Sequence, residues 1–528
     1  MKYVLLHVRL SMMKFNIRLF LWLPCITAII ACVAMTFHSL HLTRQVDVQH
    51  IGYAFEFLQS IAHRDLGSYL LFPHKYPLLS VLPLSFFYAG ILGFLVLIGH
   101  VPSLSISDIQ YYVFTNPREI YLATRLVTVV FSILLLALLH RTSRKLFPTI
   151  NPLYALLLML SSMLYLTFAT SMRQHVPAAC LIFLTFVLSL SLAERKSTLR
   201  LILALGSATL AFCVLQNGLF AYIFPVLAYI YDDGAWKVRR WFHPRFLLIL
   251  GAFFFLATLL GYPFLYRDLF VRHKLGFGLG NEDIGESPWG VRGFVVLGRT
   301  LLGSEIFLVI FAVITLWHVF RGRVMLTPYL WSIALFFVVY CVFFGFVGWT
   351  TPRYFFPLSP FLALLGGVSL SRARCFIPFF VLLLMAVHLQ FALLGWKPDT
   401  YDVARSFLIE QTTGPIATNV PHYFLDIPPT RVSITAPSME KERFILTLPA
   451  DLSHARAFSL LSNSAQAQTA VNAMYPYDAP IGNWALCQHI ESSKSPDRMF
   501  LWSEVDWAYL WIFRTSNLGP TLSIYCRS

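Results

Sequence analysis

The stretch "LFLWLPCITAIIACVAMTFHSLHLTRQVDVQ" (Leu19–Gln49) decides the fold. Its first part, Leu19–Phe37, carries no charged side chain. About 20 apolar residues in a helix cross a hydrocarbon core of about 30 Å. The segment ahead of it, Met1–Arg18, holds Lys2, Arg9, Lys14 and Arg18 and no acid. The run is too long for a secretory leader and lacks a clear small-residue cleavage site, so it reads as an uncleaved first span. Basic flanks stay in the cytoplasm, which sends His38 onward to the outer side.

The rest of the chain repeats the theme. Of 528 residues, 57% are hydrophobic and 12% charged, and the mean hydropathy is +0.67. A soluble domain carries about 25% charged residues, so the bilayer is the solvent for most of this chain. Backbone polar groups in lipid must be satisfied within their own segment, which makes the apolar runs helices. The period-2 alternation of an outer-membrane barrel is absent. The net charge is +15, yet no basic stripe is interleaved with aromatics on a polar domain, so no nucleic-acid partner is expected.

Lys and Arg sit instead in clusters between apolar runs: His140–Lys145, Glu194–Arg200, Lys237–Arg245, Arg321–Arg323 and Arg372–Arg374. With all of them cytoplasmic, the spans fall near 19–37, 119–139, 152–171, 176–193, 199–215, 218–231, 246–265, 295–319, 327–347, 354–370 and 376–395, eleven by window and charge. The run 78–99 is also long enough to cross, but crossing would move every later cluster outside. It reads as a helix on, or dipping into, the outer face, or packed against other helices. The alternative is a twelfth span.

This topology gives a membrane domain over residues 1–396, with outer loops 38–118 and 266–292, and an outer polar domain over 397–528. In the latter, "PIATN", "RVSIT", "RFILTL", "FSLLS" and "LSIYC" are short β-type runs, which predict a small α/β or α+β module. Cys25, Cys32, Cys180, Cys213 and Cys341 lie in apolar runs and read as small hydrophobes. Cys487 and Cys526 lie in the polar part and can pair if it faces an oxidising compartment, an unpaired state being the alternative.

The outer side gathers reactive groups. Asp47 is surrounded by Val46, Val48, Tyr53 and Phe55. Such neighbours desolvate a carboxylate and strengthen it as a base, although read alone it is an ordinary surface acid. His63 and Asp65 share its loop, and "HKYP" adds His74 and Lys75. "MRQH" puts Arg173 and His175 in a short outer turn, and "TTPRYFFPLSP" sets Arg353 and Tyr354 at the outer end of a span. "YRDLFVRHK" brings Arg267, Arg272, His273 and Lys274. The planar fork of Arg matches phosphate. Any one of these cations equally reads as snorkelling to a lipid headgroup.

An acid among cations at bilayer depth suits an anionic lipid-linked substrate. In sugar transfer from a polyprenyl phosphate, the acceptor hydroxyl attacks the anomeric carbon through an oxocarbenium-like transition state. One carboxylate takes the hydroxyl proton. The phosphate leaves as an anion and needs cations, whereas the alcohol leaving group of glycoside hydrolysis calls for a second carboxyl acting as acid. His50, His63 and His74 with Asp47 and Asp65 could also ligate a divalent metal, Asp47, His50 and His74 being the best set. Their spacing follows no ligand pattern, so no metal is expected. "GFGLGN" (276–281) neither follows a strand nor opens a soluble helix, and reads as a loop.

Together these residues resemble the GT-C type membrane glycosyltransferases, in particular bacterial relatives of the protein O-mannosyltransferases and the lipid A aminoarabinose transferases. The resemblance covers about residues 19–395. It rests on the acid soon after the first span ("VDVQHIGYAFEFLQ"), on "HKYPLLSVLPL" followed by "ATRLVTVVFSILLLALLHRTSRKLF", on "CVLQNGLFAYIFPVLAYIY", and on "PRYFFPLSPFLALL". It implies an all-α polytopic membrane fold with a small extracytoplasmic α/β domain. It implies inverting transfer of a sugar from a polyprenyl-phosphate-linked donor to a lipid, glycan or protein acceptor. Asp47 would be the general base, and Arg353 would hold the donor phosphate with Tyr354, Arg173 and Lys274. His74, Lys75, His63, Asp65 and His175 would line the cleft, and the 266–292 loop would cover it. The membrane would be a bacterial inner membrane, with the N-terminus cytoplasmic and the C-terminal domain periplasmic.

Two departures stand out. Val48 takes the place of a second acid in many members, and Arg173-Gln174-His175 that of an Arg-Pro-Asp type turn. Val48 keeps a non-catalytic protein of the same fold as an alternative. A transporter or flippase is expected to show paired halves, Gly/Pro-broken helices and midplane charge. The sequence shows no internal symmetry, and its charges cluster at helix ends. An O-antigen ligase or polymerase would place its large outer loop late in the chain.

Overall fold

The computed structural model describes residues 20–36, 54, 56–67, 78–103, 105, 108–109, 112, 117–171, 174–232, 235–263, 290–322, 328–347, 350–373, 375–411, 416–418, 432–433, 444–447, 484–491, 513 and 522–527. Asp47, His50, His74, Lys75, Arg173 and Lys274 lie outside them, as do the run 458–462 and most of the 266–292 loop.

The chain is a multi-pass, mainly helical membrane protein with a small C-terminal sheet. The helices are α1 (Phe20–Thr36), α2 (Leu78–Leu97), α3 (Pro117–Leu146), α4 (Leu153–Ser161), α5 (Met163–Ala169), α6 (His175–Glu194), α7 (Thr198–Val214), α8 (Ile223–Ile230), α9 (Pro244–Gly261), α10 (Arg292–Gly303), α11 (Ile306–Phe320), α12 (Pro328–Phe346), α13 (Ser359–Leu370), α14 (Ile377–Trp396) and α15 (Thr400–Gln411). Three-residue-per-turn segments Gln216–Tyr222 and Pro352–Leu358 lead into α8 and α13. Among the described residues five helices are long and apolar enough to cross a membrane, and a bent pair makes a sixth.

Three of the basic clusters, around Lys145, Lys196 and Arg239, share one side. Lys145 Nζ lies 2.7 Å from Glu194 Oε1, joining the ends of α3 and α6. Lys196 donates to the carbonyls of Ala228 and Tyr231, at the end of α8. A short hairpin of β1 (Tyr231–Asp232) and β2 (Ala235–Trp236) then leads to Arg239 and Arg240. Helix α6, with 20 residues, is about 30 Å long at 1.5 Å per residue. His175, at its other end, is therefore on the opposite side of the bundle.

Two expected spans are not continuous helices. The run 152–171 breaks at Ser162, whose backbone is extended (φ −70°, ψ 118°). The run 295–319 turns through 93° between α10 and α11. A break frees backbone groups, which must find partners in lipid. At these two breaks they find each other. Met163 N donates to Ser304 O (3.2 Å). Leu164 N and Ser162 Oγ donate to Glu305 Oε1 at 3.3 and 2.7 Å. Ser162 Oγ also accepts from Tyr165 N at 2.9 Å. On the N-terminal side of the first break, His388 Nε2 on α14 is 3.0 Å from Leu160 O, and its Nδ1 is 3.0 Å from Thr27 Oγ1 on α1. Charge-bearing residues thus do not all gather at helix ends. Glu305 is 1% exposed, and Arg125 and His388 are 0% exposed.

Packing between helices relies on small residues and aromatics. A Cβ on Gly367 would meet the Ala155 backbone at 3.0 Å, so α13 lies close against α4; lipid offers no hydrophobic drive, and such contacts carry association. Phe183, Phe186, Phe224, Phe336 and Phe361 form a ring cluster with contacting centroids 5.0–5.9 Å apart. Aromatic pairs of this kind contribute about 0.5–1.5 kcal/mol beyond burial. Helix α2 packs on α7 and α9. It also shares a separate small core with the 54–62 segment, formed by Ala54, Phe57, Val81, Tyr88 and Leu92.

In the C-terminal module, Asp399 Oδ1 accepts from Asp402 N (2.9 Å) and starts α15, as a side chain does at a helix N-cap. The strands are β3 (Ile416–Thr418), β4 (Val432–Ser433), β5 (Phe444–Thr447), β6 (Trp484–Ile490) and β7 (Leu522–Arg527), in the order β4-β3-β5-β7-β6. β3 runs parallel to β4 and β5, and β7 antiparallel to β5 and β6. Tyr401, Ala404 and Leu408 of α15 pack on Ile416, Ile490, Leu522 and Ile524. The register slips between Leu486 and Gln488. The extra residue of this bulge, Cys487, is bonded to Cys526, with Cα atoms 5.7 Å apart.

Candidate active site

Two of the sequence-predicted segments meet. Gln174 and His175 open α6 and are 8% and 5% exposed. The His175 ring lies edge-on to Tyr354 at 6.1 Å and 5.5 Å from Phe168, at the end of α5. Tyr354 stacks on Phe344 of α12 at 5.2 Å. The start of α6 therefore abuts the segment that carries Arg353.

Arg353 is half-buried. Its guanidinium carbon is 5.5 Å from the Tyr354 ring centroid, within range of a cation–π contact. Among the described residues that guanidinium makes no ion pair or hydrogen bond. A half-buried cation left with its donors uncommitted, beside the positive end of a 20-residue helix, is suited to an anion such as phosphate.

The neighbourhood is pinned from several directions. Gly290 N donates to Phe346 O at 2.7 Å, so the C-terminal end of the 266–292 loop is tied to the end of α12. A Cβ on Gly293 would meet Phe344 O at 2.0 Å, so α10 crosses α12 there at backbone contact. Thr350 Oγ1 donates to Phe344 O at 2.7 Å.

His63 and Asp65 are exposed. They follow the 54–62 helical segment in a turn closed by Asp65 N to Ser60 O (2.9 Å), with Arg64 at φ 57°. Among the described residues no hydrogen bond, ion pair or ring contact joins them to His175, Arg353 or Tyr354. No group of three His, Cys, Asp or Glu suited to a metal occurs among the described residues, and the set Asp47, His50 and His74 lies outside them.

Sequence reasoning assigned no role to Arg125. It is fully buried on α3 and donates from Nη1 to Met35 O (3.2 Å) and Thr36 O (3.0 Å). It thus satisfies carbonyls that the end of α1 leaves bare. A single Arg inside the apolar run "ATRLV" was the visible sign.

No known family's sequence pattern matches the chain. No curated protein matches it by sequence. Among solved structures, the chain is similar to ArnT from Cupriavidus metallidurans bound to undecaprenyl phosphate, at 13% identity and a TM-score of 0.49, over 83% of this chain and 93% of that one. It is also similar to the Archaeoglobus fulgidus oligosaccharyltransferase tethered with an acceptor peptide, at 9% identity and a TM-score of 0.41, over 96% and 88%. Both are GT-C glycosyltransferases.

Proposed function

We propose that this chain is a membrane glycosyltransferase that moves a sugar from a polyprenyl-phosphate donor to an acceptor on the extracytoplasmic face. The observation that carries the reading is the Arg353 guanidinium, which makes no ion pair or hydrogen bond among the described residues and lies against Tyr354, whose ring meets His175 at the end of α6 remote from the Lys145–Glu194 pair. Arg353, with Arg173 and Lys274, neutralises the donor phosphate as the glycosyl bond breaks. Asp47 takes the proton of the acceptor hydroxyl, which attacks the anomeric carbon from the opposite face and inverts it. His74, Lys75, His63, Asp65 and His175 line the cleft. The membrane is a bacterial inner membrane, with the N-terminus cytoplasmic. The Cys487–Cys526 bond supports an oxidising location for the C-terminal module.

Broken spans and buried charge also mark transporters. Here the carboxylate at the breaks, Glu305, is 1% exposed and binds the other broken span. A carboxylate so enclosed and so bound favours a static scaffold over a transport path.

The full chain, purified in detergent, is incubated with radiolabelled polyprenyl-phosphate sugars and a membrane acceptor extract, beside Asp47→Asn and Arg353→Ala. Transfer by the native protein and none by either variant is expected. Equal transfer by native protein and Asp47→Asn removes Asp47 from the mechanism. Reporter fusions after residues 118 and 396 should both read outside.

A further inference from the structure

The Tyr354 carbonyl belongs to the Pro352–Leu358 segment, where three-residue turns call for a donor at position 357. That position is Pro357, which has no N–H. The missing proton comes from another helix: Tyr340 Oη on α12 donates to Tyr354 O. Asn217 Nδ2 in turn donates to Tyr340 Oη at 2.8 Å. An amide nitrogen can only donate, so it occupies a lone pair of the phenol and leaves the phenolic proton for the carbonyl. Tyr340 is fully buried and Asn217 is 2% exposed.

Both side chains are held rigidly. The Tyr340 ring packs against Phe344, Phe220 and Phe336 at 4.7, 5.1 and 5.3 Å. Asn217 precedes Gly218, where a Cβ would overlap the Ala211 carbonyl carbon at 2.2 Å. Only glycine lets the chain press on the last turn of α7, and that approach aims Asn217 at Tyr340. The "QNG" element thereby gains a physical role.

We infer that Tyr340 and Asn217 are positioning residues for the donor phosphate: through the Tyr354 carbonyl they fix the turn that presents the Arg353 guanidinium. The inference rests on the functional reading above. A guanidinium on a loose turn pays ordering entropy at each binding event, whereas one on a pinned turn is preorganised. Neither residue touches the substrate. Their removal should weaken donor binding and leave acceptor binding alone.

The test uses Tyr340→Phe, which deletes one oxygen and keeps the ring packing, and Asn217→Leu, similar in volume. Initial rates are measured against polyprenyl-phosphate sugar and against acceptor, with melting curves in the same detergent. The expected result for each is a donor KM raised about tenfold, the scale of one neutral hydrogen bond, with acceptor KM unchanged. The double variant should be no worse than Tyr340→Phe, because both act through one carbonyl. Arg353→Ala runs alongside. Full activity in Arg353→Ala overturns the functional reading itself. An inactive Arg353→Ala with a normal donor KM in Tyr340→Phe overturns this inference, as does an equal rise in both KM values with a lowered melting temperature. Should Tyr340→Phe fail to fold, Asn217→Leu carries the same test.

Discussion

Ser162 Oγ donates a 2.7 Å hydrogen bond to Glu305 Oε1 across the interior of the membrane domain. One residue stands at the break between α4 and α5, the other at the bend between α10 and α11. Each broken span completes the other, which makes the pair a fixed joint.

Glu305→Ala strands the Ser162 hydroxyl and the Leu164 N–H at buried positions. Leaving buried donors unpaired costs about 1–3 kcal/mol each, so a large drop in melting temperature in detergent is expected. Glu305→Gln keeps a carbonyl oxygen at the same position and should lose about 1 kcal/mol or less. Equal loss in the two variants would show that negative charge, and not an acceptor, holds the joint.

Arg125→Met leaves the Met35 and Thr36 carbonyls without their donor, while Arg125→Lys keeps a cation able to reach one of them. Bonds between helices within membranes contribute about 0.6–2 kcal/mol. The Met variant should melt lower than the Lys variant, and hydrogen exchange at the end of α1 should quicken in the Met variant first. Matching melting and exchange in the two variants would remove Arg125 as the anchor of α1.

Helix existence was legible because apolar length is a direct demand of the bilayer. The break at Ser162 was not, since serine is common in membrane helices and the carboxylate that binds the break comes from 143 residues downstream. The bend at Glu305 did leave a sign: an acid inside the run 295–319 has to be bound to something. Strands β3, β4, β5 and β7 coincide with β-type runs, whereas β6 was missed because "WALCQHI" mixes Gln and His into a bulged strand. Helix α15 was missed too, although "DTYD" carries its capping acids. At the site, Arg353, Tyr354 and His175 were named from their place at span ends. Tyr340 and Asn217 could not be, because a tyrosine and an asparagine in apolar runs reveal nothing of which carbonyl lacks a donor.

Gly218→Ala should be among the most damaging single-atom changes, since its Cβ would collide with backbone at 2.2 Å. Overpacking of this kind costs about 1–3 kcal/mol or more, and donor binding should weaken as Asn217 is displaced. Gly251→Ala is the control. A Cβ there meets nothing within 4 Å, and in a helix interior alanine is favoured over glycine by up to about 1 kcal/mol. If both variants behave alike, the close approach at Gly218 carries no weight.

The cysteines allow orientation and function to be tested apart. Cys487 and Cys526 are bonded, and the bond closes a loop with a separation of 39 residues, which by chain entropy stabilises the module by about 4 kcal/mol. Cys375 is free and exposed at the turn between α13 and α14, beside the Arg372–Arg374 cluster assigned to the cytoplasm. A membrane-impermeant maleimide applied to intact cells should therefore label nothing at first. After an impermeant reductant it should label Cys487 and Cys526 and still leave Cys375 untouched. Lysis exposes Cys375. Inverted insertion reverses the order, because Cys375 would then react in intact cells before any reduction. That outcome puts Arg353 and the His175 end of α6 on the cytoplasmic side, and removes the extracytoplasmic donor chemistry whatever Asp47 does.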